Sequence, residues 1–418
     1  MSSAAEPATE APTEAAAPAL GGGGRPRSGR GWRIVAALAV TQTIGYGVLY
    51  YAFSVFLTPM AADLHAGGAQ IAAALTGSIL IAALCAPLVG RLLDARGGRG
   101  LMTAGSVIGA LAVLAWSRVE NLAQLYAVFA AIGIASAMVL YESAFAVIVS
   151  WFDGPGNGRA NALLALTVVA GFASTIFLPL TGLLVDAYGW RTALVVLAVI
   201  YGVAAIPLHA LVVRRPARAR RQAATTHERA RIVKDATRAR PFWLLVIAFT
   251  ANGGAAAVMA VLLITYLIHL GHSPVLAATL AGLLGVLSVT GRLLTTGLQR
   301  RLPAALIAAA IFTLQGVAAA LLPLAGRTVP GAIGCVLGFG LGFGIASITL
   351  PHLLLQRYGS SAYASLSGRI AAFSVADKAL APLGAVALAQ AAGYTWVMAA
   401  VAVACAVAAF ALVAYHRV

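Results

Sequence analysis

The stretch Gly90–Arg99, GRLLDARGGR, returns as Gly182–Arg191, GLLVDAYGWR. Both copies fit G-x-L-x-D-x-x-G-x-R, and both close a long apolar run. Which side of a membrane each copy occupies decides the fold. The chain belongs in lipid: 61% of its 418 residues are hydrophobic and 10% are charged, against roughly 25% charged in a soluble domain. Apolar runs of spanning length recur from 34–58 through 394–414, each near the ~20 residues that cross a ~30 Å hydrocarbon core. They predict twelve helices, and the one long polar break among them, 214–240, divides the set six and six. With the N-terminus placed inside, 23 basic residues fall in cytoplasmic segments and three (Arg118, Arg191 and Arg327) on the other side. Both chain ends are therefore expected in the cytoplasm. The two motif copies then lie on opposite faces, as an inverted three-plus-three repeat leaves them. Gly291-Arg-Leu-Leu294 repeats the start of the motif after the eighth run, and Leu388-x-Gln-x-x-Gly393 keeps a fainter trace after the eleventh.

The reading predicts an all-α membrane protein with a disordered N-terminal tail over 1–31, a six-helix bundle over 32–213, a basic cytoplasmic linker over 214–240 and a second six-helix bundle over 241–418. The net charge of +16 does not indicate nucleic acid. Ten of the 28 Lys and Arg residues lie between Arg214 and Arg240 and four between Arg25 and Arg33, flanking apolar runs where the positive-inside rule puts them. The excess of Arg over Lys beside abundant Ala points to a GC-rich, bacterial source, hence the inner membrane. Cys85, Cys335 and Cys405 each stand alone in an apolar run, so neither a metal site nor a disulfide framework is expected. The glycines from Gly21 lack the Gly-Lys-Ser/Thr of a phosphate loop, and no cofactor is implied.

Ionisable groups inside the spans are the functional candidates. Glu142 interrupts MVLYESAFAVIVSWF, 138–152. An acid there costs ~2.5–3.5 kcal/mol on insertion scales and persists if it faces a cavity, is paired or is protonated. It is the first candidate for carrying a proton. His352, at the matching position when Gly158-Arg159 is aligned with Gly368-Arg369, titrates in a range that suits proton traffic. Asp377 and Lys378 are adjacent and point about 100° apart, so each needs its own partner; Asp377 is the third proton candidate, and Lys378 has the length to snorkel to the interface. Arg292, facing a cavity, would hold a carboxylate through two parallel hydrogen bonds; nearer the interface it would snorkel. Gln42, Tyr46, Tyr50 and Phe53 recur at spacings of four, four and three and form one helix face, read as a cavity lining. Asn252, before Gly253-Gly254, is read as a hydrogen-bonding group for substrate. Asp94 with Arg96 and Arg99 is read as a cytoplasmic latch between the bundles.

These residues resemble the major facilitator superfamily, whose loop between helices 2 and 3 carries G-x-L-x-D-R-x-G-R-R/K. Gly90, Leu92, Asp94, Gly97 and Arg99 match it; Ala95 and Gly98 replace two basic residues. The resemblance covers the twelve spans. It implies two pseudo-symmetric six-helix bundles around a central cavity lined by helices 1, 4, 7 and 10, and alternating access as the mechanism. GYGVLYYAFSVFLTPM in the first span and WFDGPGNGRANALLALTVVAG into the fifth are similar to the bacterial monocarboxylate-transporter-like branch. That likeness implies a substrate-carboxylate role for Arg292. Ser288 stands where the branch has an acid one turn earlier, and the first span has no lysine.

The expected function is secondary active transport, as proton-coupled symport of a small organic anion such as a monocarboxylate, by a monomer whose partners are its small-molecule substrate, protons and the lipid bilayer. One alternative is a proton antiporter exporting a hydrophobic compound, though Phe177-Leu-Pro-Leu-Thr-Gly182 keeps only P-x-x-G of the antiporter signature. The other is a membrane sensor that binds without transporting. An enzyme is not expected, because no nucleophile–base or metal constellation is present.

Overall fold

The computed structural model describes residues 27–152, 158–214, 225–299 and 301–418. Ten helices among them are long and apolar enough to cross a membrane. One, Gly158–Val212, runs 55 residues, about 80 Å of rise and far more than one bilayer needs. It breaks at Gly189, whose φ of 75° only glycine adopts readily, and so supplies two spans. Two shorter helices, Val329–Gly340 and Ala346–Tyr358, together make another. The spans are α1 (Gly29–Asp63), α2 (Gly68–Arg96), α3 (Gly98–Trp116), α4 (Leu122–Trp151), α5 (158–188), α6 (190–212), α7 (Arg240–His269), α8 (Pro274–Leu298), α9 (Ala304–Ala325), α10 (329–358), α11 (Tyr363–Ala392) and α12 (Tyr394–Arg417). All-helical bundles are the expected solution in lipid, where every backbone group must be bonded within its own segment.

Two details depart from twelve plain rods. The chain is helical from Arg27, inside the segment expected as tail; residues 1–26 lie outside the described part. In the linker, 215–224 lie outside it too, while Thr226–Arg238 forms a further helix whose first N–H groups are capped by Thr225. Its Val233 and Ala236 are buried in one apolar cluster with Val89 and Leu93 of α2 and Phe242 of α7. The connector therefore touches both bundles.

The N-terminal bundle closes around Trp116, whose ring meets Phe53, Phe56 and Phe129 at centroid distances of 6.2, 5.3 and 4.8 Å. The C-terminal bundle has its own core of Tyr266, Phe339, Met398 and Cys405. The bundles meet most closely where α2 crosses α11. A Cβ on Gly90 would run into the carbonyl oxygen of Ala364, and one on Gly368 into that of Ala86. This crossing lies on the face that carries both chain ends, here termed the terminal face. On the opposite face Gly182, the counterpart of Gly90 in the repeated motif, has nothing within 4 Å of where a Cβ would be, and neither have Gly282 and Gly285 of α8. The bundles are thus joined on the terminal face and parted on the other.

The crossing makes a prediction. Gly90→Leu should hold the bundles apart, so that a cysteine introduced at Ala364 reacts several-fold faster with an impermeant maleimide applied from the terminal face. Unchanged labelling would mean that α2 and α11 separate freely without that contact.

Candidate functional site

The centre of the interface is built around Arg292. It lies six residues, about 9 Å of rise, inside the end of α8. Its Nε donates to Gly344 O at 3.0 Å and its Nη1 to Thr167 O at 3.2 Å. Gly344 belongs to the break in α10 and Thr167 to α5 of the other bundle, so the guanidinium bridges the bundles and does not run to the interface. A Cβ on Gly344 would strike it. Both acceptors are neutral carbonyls, and the ionisable side chains within electrostatic reach are Tyr141, Tyr51 and Tyr46. The cation is fixed in place and, among the described residues, keeps spare donors and meets no carboxylate.

The tyrosines correct the reading of α1. Residues Gly47–Tyr51 form a widened π-turn, in which the Ala52 N–H reaches back five residues to Gly47 O. The extra residue per turn places Tyr51, not Tyr50, over Tyr46. Phe53 is rotated into the Trp116 core, and the Tyr50 ring meets Tyr51 edge-on at 5.2 Å. The four-residue stripe therefore does not stay on one face, because a 3.6-residue period ceases to apply at a π-turn. Tyr141 completes the group. It opens the second segment of α4, its ring lies 4.6 Å from that of Tyr46, and it stacks on Phe145 at 5.2 Å.

Glu142 sits beside Tyr141. Ser367 Oγ of α11 donates to its Oε2 at 2.9 Å, so the carboxylate bridges the bundles. Lys378 lies within electrostatic reach of it. Its ammonium does not snorkel: it is about four turns into α11, its side chain runs along Gly253 of α7, and it stays accessible although protein surrounds it. Tyr46, Tyr51, Tyr141, Glu142 and Arg292 likewise keep partial exposure at mid-span between the bundles. Together they form a polar cluster between the bundles that keeps accessible surface.

Asp377 and His352 lie elsewhere. Asp377 presses its carboxylate on Gly254 of α7 and lines a groove of about 270 Å³ among small residues of α7, α11 and α12. His352 is nearer the terminal face, within reach of Arg159.

Gln42 and Asn252, read as cavity groups, are buried and serve the broken helices. Gln42 is 0% exposed and its Nε2 donates to Val139 O at 2.6 Å, the carbonyl at the break of α4, where Leu140 is extended. Asn252 Nδ2 donates to Gln315 Oε1 at 2.9 Å, and Gln315 Nε2 to Phe339 O at 3.0 Å, next to the break of α10. Gln42 thus satisfies the discontinuity of α4 directly, whereas Asn252 serves that of α10 through Gln315 of α9. Buried carbonyls need such donors, and leaving one unmet costs about 1–3 kcal/mol. Gln42→Leu should accordingly lower the melting temperature of the purified protein while leaving substrate KM unchanged. A raised KM at unchanged stability would return Gln42 to the cavity.

On the terminal face Asp94 reaches across to the other bundle, where it meets backbone N–H groups of α11. Its Oδ1 accepts from Ala364 N at 3.1 Å and its Oδ2 from Ser365 N at 2.7 Å. These are first-turn donors of α11, whose own preceding residue supplies no side-chain cap. Asp94 therefore caps a helix of the other bundle, where the helix dipole favours an anion. The four-residue spacing from Gly90 explains the motif: glycine admits the end of α11 and the acid receives it. Arg229 of the connector is within electrostatic reach of Asp94, whereas Arg96 and Arg99 are exposed. Asp94→Ala should weaken closure of this face by about 1 kcal/mol, read as increased labelling of a cysteine placed at Ala364; unaltered labelling would show that the cap does not hold the bundles together.

Reading from the sequence missed Tyr51, Tyr141, Lys378, Ser367 and Thr167. Tyr141 and Lys378 each adjoin a residue that was singled out. Tyr51 needed the π-turn, and Thr167 contributes only a backbone carbonyl, which no side-chain pattern reports.

The comparisons accord with this architecture. The chain is 26% identical over 306 residues to monocarboxylate transporter 13 of Rattus norvegicus, spanning 72% of this chain and 69% of that protein. It is 26% identical over 339 residues to the Bos taurus protein of the same name, spanning 79% and 76%. Among solved structures it is similar to the E. coli fucose:proton symporter FucP, with a TM-score of 0.73, 15% identity and coverage of 91% of this chain and 98% of that one. It is also similar to the human organic anion transporter TETRAN, with a TM-score of 0.66, 15% identity and coverage of 93% and 100%. The family model of the Major Facilitator Superfamily matches residues 38–376. With that match over most of its length, and with its two bundles and broken fourth and tenth helices, this chain belongs to the Major Facilitator Superfamily.

Proposed function

We propose that this transporter moves a small organic anion, of the monocarboxylate class, together with a proton by alternating access, and that the terminal face is the cytoplasmic one of a bacterial inner membrane. The observation that carries the reading is Arg292: a cation fixed by two neutral carbonyls, one from each bundle, with donors left over and, among the described residues, no carboxylate within electrostatic reach. A guanidinium so held suits a carboxylate. A bound anion would share the group that already spans the interface, so that loading and closure are linked.

Glu142 carries the proton in this reading. Among the described residues it is the one acid in the central polar cluster, it joins α4 to α11 through Ser367, and Lys378 lies within its electrostatic reach. Protonation removes its charge and with it the attraction to Lys378. Asp377 and His352 sit outside that contact and serve, if at all, as later stations. Closure of the open face would bring Gly182 and Asp186 of α5 toward α8, as Gly90 and Asp94 now meet α11. The cytoplasmic assignment of the terminal face rests on the 23-to-three division of basic residues.

The test is uptake of labelled lactate, pyruvate and longer acids into proteoliposomes under an inside-alkaline pH gradient. Accumulation that collapses with the gradient is expected. If no acid accumulates, the symport reading fails.

A further inference from the structure

The central polar cluster offers more than a cation. Tyr46 and Tyr51 from α1 and Tyr141 from α4 lie within electrostatic reach of Arg292. They are brought there by local features that cost helix regularity. The π-turn at Gly47–Tyr51 puts Tyr51 above Tyr46, and the break at Leu140 puts Tyr141 4.6 Å from the Tyr46 ring. Gly47 lets this distorted segment press on Phe177, where a Cβ would clash with the ring. Elsewhere in the molecule Tyr201, Tyr266 and Tyr363 are fully buried, as tyrosines filling a core are. Tyr46, Tyr51 and Tyr141 instead keep accessible surface.

We infer that the anion is an aromatic carboxylate, whose ring sits among Tyr46, Tyr51 and Tyr141 while Arg292 holds its carboxylate. This deepens the anion-carrier reading and rests on it. Ring faces gain from a π-bearing partner beyond the area they bury. An acid of two or three carbons fills none of that space, and a saturated ring fills it without the edge and face complementarity.

The inference is tested by isothermal titration of the full chain, purified in detergent, with benzoate, cyclohexanecarboxylate and lactate. Cyclohexanecarboxylate shares the ring size and charge of benzoate but has no π face. Benzoate should bind about tenfold tighter than cyclohexanecarboxylate, the product of two aromatic contacts. Tyr51→Leu or Tyr141→Leu should each cut the margin to about threefold, and Tyr51→Phe, which keeps the ring, should preserve it. Arg292→Gln should weaken all three acids together. Equal or tighter binding of cyclohexanecarboxylate overturns the inference, as does a margin undiminished in both leucine variants or a protein that binds none of the acids. Acids whose affinity ignores Arg292→Gln overturn the anion-carrier reading itself. Dependence on Arg292 without a preference for the aromatic ring removes the inference alone.

Discussion

Arg292→Gln should reduce gradient-driven anion uptake about a hundredfold in kcat/KM while the protein still folds. Glutamine removes the charge and with it the paired hydrogen bonds to a carboxylate. Bonds to a charged group are worth about 1.5–3 kcal/mol each, and 1.4 kcal/mol is tenfold, so losing their combined action costs about two orders of magnitude. Folding should survive because what Arg292 holds in the protein is two carbonyls, Gly344 O and Thr167 O, and glutamine retains donors. Arg292→Lys separates charge from geometry. Lysine keeps the positive charge as a compact point, without the planar fork that touches both bundles, and should recover a small part of the rate. Initial rates in proteoliposomes, with melting temperature as the control for folding, give the answer. Wild-type rates in the glutamine variant would move the anion site away from α8.

Glu142→Gln should uncouple transport from the proton. One proton per monovalent anion lets a gradient of one pH unit accumulate the anion about tenfold, because a pH unit is worth 1.36 kcal/mol. The glutamine variant should equilibrate the anion and accumulate none, while exchange of internal for external anion continues. The side chain is nearly isosteric, and its amide oxygen can still accept from Ser367 Oγ, which now bonds Oε2 at 2.9 Å. The lost element is the titrating charge and its attraction to Lys378. Exchange and gradient-driven accumulation, measured on one preparation, distinguish the outcomes. Undiminished accumulation would assign the proton to another group, and Asp377→Asn and His352→Gln would be the next variants to measure.

The groups that matter were partly legible beforehand. Glu142, Arg292 and Tyr46 stand out because a charge or a phenol in an apolar run needs a reason. Lys378 was visible and misplaced: a helix-end rule sent it to the interface, whereas packing against Gly253 and the pull of Glu142 keep it at mid-span. Gln42 and Asn252 were read as binding groups because polarity in a membrane helix suggests a cavity. Gln42 donates to a carbonyl freed by a broken helix and Asn252 holds Gln315, which donates to another, and no pattern in α4 or α10 had announced those breaks. Asp94 was read as part of a latch between the bundles, and its partners across the interface are the first N–H groups of α11.

The sequence by itself determined the all-helical class, the number of spans and the repeated motif on opposite faces, because the demands of lipid on hydrophobic length and charge placement act residue by residue along the chain. Tertiary structure alone decided which polar side chains share a cavity. That choice turns on the π-turn at Gly47–Tyr51, the break at Leu140 and the partner helix each group meets across the bundle interface. These are contacts between segments more than a hundred residues apart, such as Arg292 with Thr167 and Ser367 with Glu142. Helical periodicity records which face a residue occupies on its own helix; it carries no information about what another helix brings to that face.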